Sequence, residues 1–204
     1  MNNSELFRAA MKLEAKGKTK EAYRYFLEAA ISENDGEAMR VLARRYMDGY
    51  PCEWNTDKAF HYYCLAYENG TDLGPIELIN AGAGYQKKAT EENTPEFYSL
   101  ARECYLLAAK KGDSFGFECA GETFFLEENY ESAYEMFKMA GPRNSLGLHY
   151  LGRMFEEGLL AQKDLEKAIS YYKRSIKYGE YKEEEYGEDY YCYLSRERIK
   201  ALGV

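Results

Sequence analysis

Residues 148–179 read LHYLGRMFEEGLLAQKDLEKAISYYKRSIKYG. Within them Ala168 is followed four residues later by Tyr172 and seven later by Ser175. A small–aromatic–small series at that spacing lies along one face of a helix. Upstream, Gly152 has Leu148 and Leu151 before it and Phe155 after it, which makes a second helical stripe around a small residue. Gly158 is placed to end the first helix, and Asp164 is placed to cap the second. The stretch therefore predicts two helices, A and B. The small residue in A lets B approach closely, and the large residues fill the remaining gap.

The same pair recurs along the chain. Ala22, Ala59, Ala101 and Ala133 precede Phe26, Tyr63, Tyr105 and Phe137 at the B spacing. Ala10, Ala43, Gly82 and Gly121 stand at the A position of Gly152. Five copies at intervals of about 32 to 42 residues predict a helical solenoid. Thr56, Thr94 and Asp164 fall where the N-caps of B helices belong. Gly70, Gly112 and Gly179 fall at B-helix ends.

The second copy reads Leu42-Ala43, Tyr46, Gly49, Asp57-Lys58-Ala59, Tyr62-Tyr63, Gly70. The fifth reads Leu151-Gly152, Phe155, Gly158, Asp164, Lys167-Ala168, Tyr171-Tyr172, Gly179. This pattern resembles the Sel-1-like repeat family of the tetratricopeptide-like superfamily. The first and fourth copies have the shorter spacing of a plain tetratricopeptide unit, and the third departs most. The resemblance implies an all-α fold: a right-handed α–α superhelix of about five helix pairs plus a C-terminal capping helix. The repeats would fall near residues 4–34, 36–70, 72–112, 114–144 and 145–179, with 180–204 forming a charged linker and the capping helix.

Composition narrows the function. The chain has 204 residues and a formal net charge of −8. That balance opposes non-specific nucleic-acid binding and docking on anionic membranes. The five cysteines are odd in number and contain no C-x-x-C pair. With no long apolar run, a reducing, cytoplasmic setting is expected. No cofactor or metal site is expected. The two histidines, His61 and His149, lack metal-ligand spacing, and Gly82-Ala83-Gly84 is an isolated G-x-G better read as helix packing.

The resemblance also implies that the A helices line a concave groove, with residues flanking each small anchor pointing into it. Carried onto this chain, the partner-binding candidates are Phe7, Arg8, Arg40, Arg44, Asn80, Glu118, Glu122, His149, Tyr150 and Arg153. Arg8, Arg40 and Arg44 would make a cationic patch suited to an acidic segment or a free C-terminal carboxylate. Alternatively, Arg40 pairs with Glu37 and Arg44 with Asp48, and both simply solvate the surface. Surplus tyrosines (Tyr50, Tyr67, Tyr178, Tyr181, Tyr186) suit either a binding surface or an ordinary amphipathic one. The expected function is a non-catalytic scaffold or adaptor that holds a peptide or protein in the groove. The alternatives are a self-assembling repeat protein, or an enzyme with a site built from His149, Tyr150 and Glu122.

Overall fold

The computed structural model describes residues 4–186 and 189–203, with side chains omitted for 182–186. The described residues hold eleven α-helices and no strand. The A helices are α1 (Glu5–Glu14), α3 (Gly36–Asp48), α5 (Pro75–Glu91), α7 (Phe115–Leu126) and α9 (Ser145–Glu157). The B helices are α2 (Thr19–Ser32), α4 (Thr56–Glu68), α6 (Glu96–Lys110), α8 (Tyr130–Ala140) and α10 (Leu165–Tyr186). The last helix is α11 (Tyr190–Ala201).

The chain forms two compact units. One contains α1–α6 and ends at Lys111; the other begins at Gly112 and contains α7–α11. Within the first, each helix packs on the next in sequence. Within the second, sequential packing is joined by contacts of α7 with α9 and of α9 with α11.

The small anchors sit at the centre of every pair. Ala10, Ala22, Ala43, Ala59, Ala101, Ala133 and Ala168 are fully buried. The three glycine anchors share one geometry. A Cβ on Gly82, Gly121 or Gly152 would stand 2.5 Å from the ring of Tyr105, Phe137 or Tyr172 respectively. No real Cβ approaches that closely, so each ring packs directly against a bare backbone. The irregular third pair therefore keeps the register of the fourth and fifth.

The punctuation is partly as expected. Gly49 and Gly158 end α3 and α9 in the left-handed conformation, with φ of 68° and 73°. Asp164 accepts the Lys167 N–H at 2.9 Å and opens α10. Thr56 is not a cap: Asn55 fills that role, accepting from the Lys58 N–H at 2.8 Å. Thr94 is displaced by Pro95, which directly precedes α6. Gly179 does not end α10. It lies buried mid-helix, where a Cβ would collide with Cys192 of α11. The glycine serves close approach there, and α10 continues through the charged stretch to Tyr186 instead of giving way to a linker.

Candidate functional site

In the first unit the A helices are linked by charge. Arg45 of α3 donates to Glu14 of α1 at 2.9 Å. Arg44 of α3 donates through Nε to Glu77 of α5 at 2.7 Å. Glu77 is held by its other oxygen, which accepts the Gly74 N–H at 2.8 Å at the start of α5. One buried carboxylate thus caps a helix and anchors an arginine from the neighbouring one. Arg40 pairs with Glu37 at 2.7 Å and donates to the Asp72 carbonyl at 3.3 Å. The ion pair to Glu37 matches one of the two sequence alternatives. Arg44 prefers Glu77 to Asp48 because Glu77 is already fixed by its cap.

The sequence-predicted residues of this unit therefore differ in availability. Phe7 is core, packed edge-on against Phe26 with ring centroids 5.6 Å apart. Arg8 is exposed, Arg44 keeps just over half of its side-chain surface, and Arg40 and Asn80 are half-buried. Two further residues are exposed: Met11 on α1, which shares the groove-facing position with Phe7 in the first repeat, and Ile76 on α5, which sequence reasoning passed over. Ile76 lies four residues before Asn80, on the same helix face. An unburied apolar residue in phase with the predicted contact positions was the signal available for it.

In the second unit the corresponding face is closed by α11. Glu122 of α7 accepts two hydrogen bonds on one oxygen, from the Tyr150 hydroxyl at 2.8 Å and the Tyr191 hydroxyl at 2.7 Å. The Tyr191 ring also touches the rings of Tyr150 and His149, with both centroids at 5.9 Å. Arg198 of α11 forks onto both oxygens of Glu156 at 2.6 and 3.0 Å. Glu118, His149 and Tyr150 are buried. Arg153 is held by Glu157 at 2.9 Å and stacks over Phe125 at 4.8 Å. Of the second-unit contact candidates, Glu118, Glu122, His149, Tyr150 and Arg153 are thus all engaged within the fold. For Glu122, His149 and Tyr150 the reason is that α11 occupies the place where a further A helix would pack.

A directed chain runs beneath Tyr191. Ser175 donates to the Ser145 carbonyl at 2.8 Å, and Ser195 donates to Ser175 at 3.0 Å. The carbonyl can only accept, so Ser195 in turn accepts from His149 Nδ1–H at 3.0 Å. Burial, followed by the nearby Arg153 and Arg198 charges, pulls the His149 pKa down to about 4. The imidazole is a neutral packing element, and its Nδ1 is committed to Ser195. His149, Tyr150 and Glu122 do come together, but Tyr191 fills the space between them.

The cysteines are free thiols. Burial pushes Cys64 up to about 12 and raises Cys104 and Cys119 as well. No group of metal-ligating side chains occurs among the described residues. Among these residues, no helix is long and apolar enough to cross a membrane. Tyr50 and Tyr181 are exposed, and Tyr67 and Tyr178 are half-buried. The Tyr186 side chain lies outside the described residues.

Residues 36–71, 98–113, 119–141 and 145–177, together more than half of the chain, match the Sel1 repeat. The chain belongs to the Sel1 repeat family. It is 25% identical over 129 residues to the ERAD-associated E3 ubiquitin-protein ligase component HRD3 of Candida glabrata. That match covers 62% of this chain and 16% of HRD3, so the chain spans about a sixth of that relative. The fold is similar to that of a Sel1 repeat protein from Oxalobacter formigenes, with a TM-score of 0.54 and 22% identity over 85% of this chain and 72% of that one. It is also similar to MamA from Desulfovibrio magneticus RS-1, with a TM-score of 0.55 and 16% identity over 88% and 98% of the two chains. The Sel1 matches at 36–71 and 145–177 coincide with the second and fifth copies, where the sequence pattern was strongest.

Proposed function

We propose that this chain is a non-catalytic protein-interaction scaffold, and that it holds a peptide or protein segment against the A-helix face of its first unit. Helical-repeat arrays generally act by presenting extended surfaces to other macromolecules. Membership of the Sel1 family and the likeness to HRD3, itself a component of a larger ligase, support the same reading. The observation that carries the placement is a contrast in exposure. Arg8, Met11, Arg44 and Ile76 are open on α1, α3 and α5, while α11 covers the equivalent face of α9. An apolar residue at each side of a tethered arginine suits a mixed segment: side chains for Met11 and Ile76, and a carboxylate, internal or C-terminal, for the outer edge of Arg44. Arg40 and Asn80 would border the contact.

Site-specific photo-crosslinking tests this. A crosslinker at position 11 or 76 should capture the same protein from native lysate, while one at Lys58 on α4 should not. Arg44→Glu should reduce the yield with circular dichroism unchanged. Equal capture from all three positions would remove the assignment.

A further inference from the structure

A different surface gathers cations that no described carboxylate pairs with. In the second unit, Pro142, Arg143, Arg174, Lys177, Tyr178 and Tyr181 line a hollow of about 550 Å³. It continues into a shallower one bordered by Lys173. Lys173, Arg174, Lys177 and Tyr181 share one face of α10. The opposite face carries the buried Ala168, Tyr172, Ser175 and Gly179 that pack inward. The basic face is therefore the outward one.

Many cations elsewhere in the chain have carboxylate partners. Arg44, Arg45, Arg153, Arg196 and Arg198 are all paired. Arg143, Lys173, Arg174 and Lys177 make no ion pair with any side chain the structure describes, although the protein is acidic overall. Arg174 is steadied by lying over the Tyr171 ring at 5.2 Å, which holds its guanidinium in place without cancelling its charge. Glu166 borders the far end of the shallower hollow.

We propose that the hollow on the outer face of α10 receives an acidic peptide segment of a protein partner. Three features select that occupant. Four clustered positive charges meet a carboxylate-rich chain at short range, where attraction survives physiological salt. The site is a concavity walled by Pro142, Tyr178 and Tyr181, which fits an extended side-chain-bearing segment better than a flat lipid surface. A net charge of −8 repels the continuous anionic surface of a membrane or nucleic acid, while a short acidic peptide contacts only the local patch.

The test is fluorescence anisotropy with a short fluorescein-labelled Asp/Glu-rich peptide at about 0.1 M salt, where the Debye length is about 10 Å. Wild type and Lys20→Glu, a charge reversal at an exposed position of α2 outside both proposed faces, should bind equally. Arg143→Glu/Lys177→Glu should weaken binding about tenfold or more, since two attractions become repulsions. The neutral pair Arg143→Gln/Lys177→Gln should fall between, with amide exchange as in wild type. Equal affinity across the variants, or no binding by wild type, would overturn the proposal. So would tighter binding of a single-stranded oligonucleotide or of vesicles rich in anionic lipid. Loss of binding in Ile76→Asp, which alters the first-unit face, but not in the Arg143/Lys177 variants would assign acidic peptides to the first-unit face and refute the α10 site.

Discussion

In the first unit, neighbouring A helices are tied by Arg45 to Glu14 and by Arg44 to Glu77, ion pairs whose outer edges remain wet. In the second, the ties are Tyr150 and Tyr191 converging on Glu122, and a serine–histidine chain shut beneath them. The repeat pattern is common to both, yet one face is available and the other is filled. What separates them is a terminal helix, whose side chains reach across the repeat instead of stopping at its edge.

That contrast can be broken in four ways, from the largest effect to the smallest. Tyr191→Ala removes a hydroxyl from Glu122 and a ring from between His149 and Tyr150. It should destabilise the second unit by about 3 kcal/mol or more, the low end for truncating a buried aromatic, since the Tyr191 ring is half-buried. Amide exchange should rise in α7–α11 and stay unchanged in α1–α6; an equal rise in both would erase the distinction. Acid should do something similar more gently. His149 has a folded pKa of about 4 against about 6.5 when unfolded, so the unfolded state binds the extra proton between those values. Its stabilising effect is complete above pH 6.5 and drains away as pH falls toward 4, by about 3 kcal/mol in total. His149→Gln should flatten that part of the stability–pH curve, measured by urea unfolding at each pH.

Packing gives the third test. Gly152→Ala drives a methyl into the Tyr172 ring and should cost about 1–3 kcal/mol by denaturant midpoint. Ala43→Gly, at the same repeat position in the first unit, should cost only about 0.5–1 kcal/mol. The smallest of the four effects belongs to the Arg44–Glu77 pair, which is open on its arginine side only. Arg44→Gln should lower stability by about 1 kcal/mol, since the arginine is half in solvent and the buried Glu77 keeps its Gly74 cap. High salt should mimic that change in the first unit and leave the tyrosine ties of the second untouched.

The repeat was legible because small–aromatic–small spacing is a packing requirement, and packing is written locally in each helix. The third pair was legible for the same reason once Gly82 was matched to Tyr105. Capping was less so: Asn55 and Thr56 are both good caps, and only geometry selects between neighbours. Gly179 was misread because glycine answers two different needs, a left-handed turn and a close approach, and Cys192 lies too far along the chain to reveal which. The surroundings of the contact candidates were the least legible. His149, Tyr150 and Glu122 sit at exposed-looking repeat positions, and nothing within their own repeats announces that Tyr191 will cover them. Arg44 was correctly placed near the surface, but its partner Glu77 is thirty-three residues away.

The glycines under the aromatic rings constrain how this protein can vary. Every missense change reachable from a glycine codon by one base introduces a Cβ, so at Gly82, Gly121 and Gly152 each such step meets a ring. An alanine anchor, as at Ala10 or Ala43, has glycine one base away and can lose its methyl without collision. Once a ring has settled onto the bared backbone, the way back is closed until the ring itself changes. The step from alanine to glycine is therefore easier at these anchors than the step back, and the three glycine pairs are the part of the array where the return is blocked.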